Sequence, residues 1–318
     1  MPTVYLVVPC YNEEAVLPET RRRLTAKLTA LMETGRADPR SRILFVDDGS
    51  RDNTWPLIET YHREDPLVSG LKLAHNRGHQ NALLAGLMTA REKADCVISL
   101  DADLQDDVEA IDAFLEKYAA GCEVVYGVRS RRDADTFFKR TSAQGFYRFM
   151  KLLGVDIVYN HADYRLMSRR AVEGLAQFTE VNLFLRGIVP QIGYKWTTVT
   201  YERAERFAGE SKYPLKKMIA FAADGITSFS VKPIRLVFST GGVVFIISLI
   251  MLIYALVAKL AGHTSVGWTS LMGSIWLIGG IQLLGLGVVG EYIGKIYNET
   301  KRRPRFIIES VLNKADNE

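Results

Sequence analysis

Val97-Ile98-Ser99-Leu100-Asp101-Ala102-Asp103-Leu104-Gln105 is an apolar run that ends abruptly in two carboxylates one residue apart. The run is short and mostly aliphatic, which is how a strand buried on both faces of a parallel sheet reads. If the chain stayed extended, Asp101 and Asp103 would share a face, because strand side chains repeat every two residues. Two carboxylates converging there repel each other unless a cation lies between them. Hard oxygen ligands suit Mg²⁺ or Mn²⁺, which commonly bind substrate phosphates as well. A bare D-x-D is a weak signal. At the end of a buried strand it is a strong one, and a solvated turn becomes the poorer explanation.

Working outward, four more runs have the same character: Tyr5 to Val8, Ile43 to Val46, Leu71 to Leu73 and Val124 to Tyr126. Helical spacing fills the segments between them, near Glu13 to Leu31, Thr54 to Arg63, Gln80 to Lys93 and Val108 to Tyr118. This alternation predicts a doubly wound α/β domain with a Rossmann-like, mostly parallel sheet. In such sheets ligands bind at the carboxyl ends of the strands, where strand order reverses. Two further motifs stand at those ends: Val8-Pro9-Cys10-Tyr11-Asn12-Glu13-Glu14 after the first run, and Val46-Asp47-Asp48-Gly49-Ser50 after the second. Tyr11 offers a ring to stack on a base, and Gly49 permits a tight turn.

The 318 residues are 48% hydrophobic, enough for one sizeable domain and a smaller element. The net charge of +4 is mild, so placement matters more than size, and no nucleic-acid partner is expected. Cations cluster at Lys212 to Lys217, at Lys232 and Arg235, and at Lys295 to Arg305. Cys10, Cys96 and Cys122 lie in or beside the apolar runs and predict buried free thiols in a reducing compartment, with no thiolate zinc spacing. The apolar run Thr3 to Val8 is too short for a signal peptide and no cationic segment precedes it, so the N-terminal part is expected in the cytosol.

After about Lys232 the character changes. Leu236 to Ala258 and Thr264 to Gly290 carry no charge, and each exceeds the roughly 20 residues that cross a bilayer core. The turn between them is short, and cations crowd the two outer ends. Two membrane spans, about 236–258 and 266–290, are therefore expected as a hairpin with both termini cytoplasmic, as in a multi-pass protein of the inner (plasma) membrane. Glycines of the second span, among them Gly279, Gly280, Gly285 and Gly287, permit close helix approach and a homo-oligomer. Glycine is also simply common in membrane helices. Between domain and spans, Leu215, Met218, Ile219, Ala222, Ile226 and Phe229 recur at helical spacing and predict an amphipathic helix on an anionic membrane surface. The expected divisions are 1–212 for the cytosolic catalytic domain, 213–232 for the interface region, 233–295 for the spans and 296–318 for a basic cytoplasmic tail.

The ordered set P-x-Y-N-E-E (from Pro9), V-D-D-G-S (from Val46), N-R-G-H-Q-N-A-L-L-A-G (from Asn76), D-A-D-L-Q (from Asp101) and A-D-Y-R-L-M (from Ala162) resembles glycosyltransferase family 2, with its GT-A fold. Within it the chain resembles the dolichol-phosphate-mannose-synthase-like branch, and in particular the bacterial undecaprenyl-phosphate glucosyl and N-acetylglucosaminyl transferases. The resemblance extends to Arg206-Phe207-Ala208-Gly209-Glu210-Ser211-Lys212-Tyr213 and the terminal spans.

That resemblance implies single-sugar transfer, with inversion, from a nucleotide-sugar such as UDP-glucose or UDP-N-acetylglucosamine to a polyprenyl phosphate at the cytoplasmic membrane face. It implies that Pro9, Tyr11, Asn12, Glu13 and Asp47 line the base and ribose pocket, that Asn76 to Gln80, with Gly78, lie near the diphosphate, and that Asp101 and Ala102 contact the donor. Asp103, Gln105 and Asp101 would hold Mg²⁺ or Mn²⁺. Arg206, Ser211 and Lys212 would meet the lipid phosphate. Asp163 falls where the family carries its proposed catalytic carboxylate, beside Asp103 and Arg206 as catalytic candidates. A phosphate monoester has its second pKa near about 6, so the acceptor is already largely a dianion and needs little help from a base. Orienting the acceptor, holding a sugar hydroxyl and offsetting nearby cations remain open as roles for Asp163. The sequence departs from the family pattern after D-L-Q, where Asp106-Asp107-Val108 replaces the usual proline pair.

Three rival readings fit less well. A processive polysaccharide synthase of this fold carries a Q-x-x-R-W element and more membrane helices. A non-catalytic nucleotide-sugar-binding scaffold or sensor would have degraded acidic motifs. A flippase would need a polar path, which two charge-free spans do not offer.

Overall fold

The computed structural model describes residues 1–130, 161–202, 230–260 and 267–313. The chain divides into two compact units: a sheet unit that takes in the described residues up to Glu202 and again from Arg303, and a helical unit between them.

In the sheet unit the elements run β1 (Val4–Cys10), α1 (Leu17–Glu33), β2 (Arg42–Asp47), α2 (Thr54–Glu64), β3 (Val68–Leu73), α3 (His79–Ala90), β4 (Cys96–Ser99), α4 (Ala110–Ala119), β5 (Val124–Arg129), β6 (His161–Ser168), α5 (Arg169–Ala176), α6 (Leu185–Gln191) and β7 (Trp196–Tyr201), and close with β8 (Ile308–Leu312). Eight strands form one sheet in the order β7-β5-β6-β4-β1-β2-β3-β8. β1, β2, β3 and β4 are mutually parallel, as are β5 and β7. β6 runs antiparallel to both of its neighbours, and β8 antiparallel to β3. The sheet is mixed, a GT-A-like α/β arrangement.

β1 is the central strand, and all but one of its residues are buried, which is why it reads as an unbroken apolar run. Val4, Leu6 and Val8 join Ile43, Phe45 and Ile98 in a core closed by Leu24 and Leu28 of α1, Ile58 of α2 and Phe114 of α4. On the opposite face α3 lies so close that a Cβ on its Gly86 would fall 2.4 Å from Val7 Cγ1. Each fully buried Leu, Ile or Phe in such a core contributes about 1.5–3 kcal/mol. The three cysteines are buried free thiols, as expected.

Strand order reverses at β1, which has β2 on one side and β4 on the other. The carboxyl ends of β1, β2 and β4 therefore form one rim. β6, which the sequence pattern did not reveal as a strand, delivers another segment to that rim because it runs the other way. Its register pairs Ser99 with Arg165, so Asp163, two residues before Arg165, continues opposite Asp101, two residues after Ser99.

The C-terminal residues also depart from expectation. Instead of a basic tail from 296 onward, the helix continues to Thr300 and Ile308–Leu312 pairs with β3 as an edge strand. Lys72 Nζ lies 2.9 Å from Glu309 Oε1 across that pair. Both ends of the helical unit thus join the same sheet.

The helical unit holds α7 (Lys232–Leu260) and α8 (Trp268–Thr300). Among the described residues one stretch, Leu277–Thr300, is long and apolar enough to cross a bilayer, with mean hydropathy 1.5, and none of its window is buried. Of the glycines singled out above, Gly285 stands against α7, where an added Cβ would lie 3.1 Å from Val237 Cγ1. Gly279, Gly280 and Gly287 have no described heavy atom within 4 Å of that position. The predicted interface helix lies almost wholly outside the described residues.

Candidate active site

Three loops meet at the rim and hold one another through backbone and side-chain hydrogen bonds. After β1, the Asn12 backbone N–H donates to Ser50 Oγ at 3.0 Å, and the Arg51 N–H donates back to Asn12 Oδ1 at 2.9 Å. Asn12 takes φ +54 to make this turn, a conformation that asparagine tolerates better than most residues. The Glu13 N–H donates to Thr54 Oγ1 at 2.9 Å. Tyr11 remains 39% exposed, so its ring is available to a ligand. Pro9, half-buried, ends β1 opposite Val46.

After β2, the fully buried Asp47 accepts from the Ser50 N–H, and burial raises its carboxyl above the usual range. Its neighbour Asp48 does a different job. Asp48 Oδ1 accepts from the Arg77 N–H at 2.7 Å and Oδ2 from the Gly78 N–H at 2.8 Å. One carboxylate thereby fixes the loop that leads into α3. Gly49 completes the junction: its φ is +66, and a Cβ there would lie 2.7 Å from the Asn76 backbone N. His79 and Gln80 follow in the first turn of α3. Gln80, expected near a diphosphate, has its Oε1 taken by the Leu185 N–H at 2.8 Å, so it also fastens the start of α6.

After β4, Ala102 is buried and its carbonyl accepts from Thr20 Oγ1 at 2.7 Å, while Leu104 takes φ +57. The Gln105 N–H donates to Asp103 Oδ1 at 3.2 Å. Burial pushes the Asp101 carboxyl up to about 6; nearby His79 opposes this, whereas Asp106, Asp163 and Asp103 reinforce it. His79 Nε2 lies 3.2 Å from Asp101 Oδ1. The mutual repulsion of these four aspartates means that a divalent cation fits among them. Among the described residues no cluster of three or more His, Cys, Asp or Glu side chains is already assembled as a metal cage. An ion held by one or two carboxylates and completed by substrate phosphates needs none.

Asp106 and Asp107 take the place of the family's variable position and first proline. Asp106 is only 4% exposed, accepts from Tyr201 Oη at 2.5 Å and lies 3.4 Å from Arg129 Nη2, while its Oδ2 has no partner among the described residues. The Asp107 carbonyl accepts from Tyr164 Oη at 2.9 Å. The turn that the missing prolines left undefined is thus tied to β5, β6 and β7.

Asp163 is paired with two arginines. Arg165 Nη2 lies 2.6 Å from Oδ1 and Arg186 Nη2 3.1 Å from Oδ2. Burial alone would raise the Asp163 carboxyl, but Arg186 and Arg165 outweigh it and hold the group well below the usual carboxylate range. The Asp163 backbone carbonyl accepts from Ser99 Oγ at 2.6 Å, which pins it at the end of β4.

The rim therefore brings together Pro9, Tyr11, Asn12, Glu13, Asp47, Gly78, Gln80, Asp101, Ala102, Asp103, Gln105 and Asp163. Arg206, Ser211 and Lys212 lie outside the described residues. Sequence reasoning missed Asp48, Asp106, Arg129, Arg165, Arg186 and Tyr201. Asp48 and Arg165 stood inside quoted motifs, so their presence was visible. Arg186 and Tyr201 had no local signal, since only the sheet register and α6 bring them to the rim.

Residues 5–175, over half of the chain, match the profile of Glycosyl transferase family 2, and residues 232–296 match the GtrB C-terminal hairpin. The chain is 56% identical over 308 residues to the Bacillus subtilis (strain 168) protein "Uncharacterized glycosyltransferase YkoT", covering 97% of this chain and 91% of that one. It is 40% identical over 313 residues to the "Prophage bactoprenol glucosyl transferase homolog" of Escherichia coli (strain K12), covering 97% of this chain and 99% of the relative. It is also 40% identical over 316 residues to the "Bactoprenol glucosyl transferase" of Shigella phage SfV, with 98% and 99% covered.

Proposed function

The chain belongs to glycosyl transferase family 2 and is a glycosyltransferase; from that premise we propose that it moves one glucose or N-acetylglucosamine from a UDP-sugar onto undecaprenyl phosphate at the cytoplasmic face of the membrane. The observation that carries this reading is the convergence, on one rim, of a nucleotide-sized set of loops and an excess of carboxylates beside a charge-free helical hairpin sequence. The names of relatives matched along nearly their whole length support a lipid acceptor.

In this reading Tyr11, Asn12, Glu13 and Asp47 bind the nucleoside, and the 76–80 loop fixed by Asp48 lies beside the diphosphate. Asp103, with Gln105 and Asp101, would hold Mg²⁺ or Mn²⁺, which supplies charge neutralisation for the departing diphosphate. An acceptor phosphate oxygen attacks the anomeric carbon as the bond from that carbon to the UDP oxygen breaks, inverting the centre and releasing UDP. Asp163 belongs to the reacting centre but, doubly paired and ionised, is ill suited to take a proton. Arg206, Ser211 and Lys212 are assigned to the lipid phosphate on resemblance. α7 and α8 form a two-span hairpin. It keeps the rim at headgroup level, where the acceptor must stay, since exposing each buried methylene costs about 0.8 kcal/mol.

The test uses the full-length protein in detergent with undecaprenyl phosphate, Mg²⁺ or Mn²⁺ and a panel of radiolabelled UDP-sugars. Label entering the organic phase from one donor, abolished by EDTA and by Asp103→Asn, is the expected result. UDP-sugar binding without transfer to any lipid phosphate would instead favour a nucleotide-sugar-binding scaffold.

A further inference from the structure

On the glycosyltransferase reading above, we propose that Arg186 is an additional substrate-binding residue that grips a phosphoryl oxygen at the transfer centre, and that Asp163 and Gln80 are the positioning residues that hold it there. Arg186 lies in α6, whose start is fastened by the bond from the Leu185 N–H to Gln80 Oε1. Its Nη2 donates to Asp163 Oδ2 at 3.1 Å and its Nε lies 3.3 Å from Oδ1. The guanidinium is therefore held by its fork rather than by a single bond.

Asp163 carries one negative charge and faces two permanent cations, Arg165 and Arg186. The trio has a surplus positive charge. Arg165 is 2% exposed and cannot deliver that charge to a ligand, whereas Arg186 is 33% exposed. The surplus thus emerges at Arg186, beside a rim otherwise lined by Asp101, Asp103 and Asp106. A cation retained among carboxylates suits an anion that must approach them. A planar guanidinium is the side chain best matched to the paired oxygens of a phosphoryl group.

The same geometry accounts for Asp163. Both of its oxygens accept from guanidinium groups, so its use is to orient Arg186. The phosphoryl oxygen could come from the donor diphosphate or from the lipid acceptor, and separate binding titrations tell these apart. UDP with Mn²⁺ probes the donor, and farnesyl phosphate probes the acceptor, each on the full-length protein in detergent. Neither titration needs turnover.

Arg186→Met, which keeps the aliphatic stem, is expected to retain the wild-type melting temperature and to weaken one of the two ligands about 10–100-fold, the worth of a charge-assisted hydrogen bond. Arg186→Lys should recover little of that loss. Asp163→Asn should weaken the same ligand, and the double variant should bind no worse than Arg186→Met alone. A general base would instead leave both affinities intact and lose only kcat. Unchanged affinity of Arg186→Met for both UDP and farnesyl phosphate overturns the assignment, whether or not the wild type transfers sugar. A wild type that binds both ligands but transfers nothing defeats the functional reading while leaving the Arg186 assignment to the titrations.

Discussion

Gly49 and Asp163 show how much of this site rests on single side chains, or on the lack of one. At Gly49 a methyl group would collide with the backbone of His75 and Asn76, and the φ of +66 disfavours any side chain. Gly49→Ala is expected to cost about 1–3 kcal/mol of stability and to weaken UDP binding as the 76–80 loop is displaced; thermal unfolding and UDP titration would both read it, and a variant unchanged in both would show the junction to be slack. Asp163 is the partner of a buried arginine whose Nε and Nη1 have no hydrogen-bond partner among the described residues. Removing its charge in Asp163→Asn leaves Arg165 uncompensated, at a cost of about 3–5 kcal/mol. The pH dependence follows from the direction of its shift. A carboxyl held below its unfolded value near about 3.9 stabilises the protein fully above that pH and loses this contribution as pH falls toward the folded value. The gap in melting temperature between wild type and Asp163→Asn should therefore be widest near neutrality and narrow below about pH 4. A gap that widens with acidity would contradict the ion-pair assignment.

At the scale of elements, the runs that read as strands are those buried on both faces. β1 to β5 all appear where the apolar pattern put them, with ends shifted by a few residues. α1 begins at Leu17 rather than Glu13 because residues 11–16 make the turns that bind the β2 loop. β6 carries Asp163, Tyr164 and Arg165 in succession, and β7 alternates exposed with buried residues, so neither looks like a core strand in sequence. β8 is largely exposed and short. Its role is to cover the outer edge of β3, and an uncovered edge strand invites pairing with another chain. Truncation before Phe306 should lower the melting temperature by a few degrees, on the order of 1 kcal/mol, and promote aggregation on gel filtration, with UDP binding retained. Loss of UDP binding with no aggregation would mean that β8 serves the site rather than the edge.

For the whole molecule, the proposed hairpin fixes which side of the membrane each end occupies. The three native cysteines are buried, so an introduced thiol stands out against a quiet background. A membrane-impermeant maleimide should label Thr264→Cys in intact cells, and Asn313→Cys, at an exposed position beyond β8, only after permeabilisation. Equal labelling of both from outside would reverse or abolish the two-span reading.

The sequence by itself determined the class of sheet, the D-x-D at the end of its fourth strand, the nucleotide-facing loops and the long apolar stretches. Each is a local pattern, an apolar run or a motif whose meaning lies within a dozen residues. Only the tertiary structure decided that β6 runs antiparallel and so sets Asp163 against Asp101, that α6 lends Arg186 to the same rim, that Asp106 is anchored by Tyr201, and that the chain returns after the helices to finish the sheet. These depend on register and strand order between segments up to 237 residues apart, as for Lys72 and Glu309. Pairing across such distances is fixed by the packing of the whole unit, and no periodicity within either partner records it.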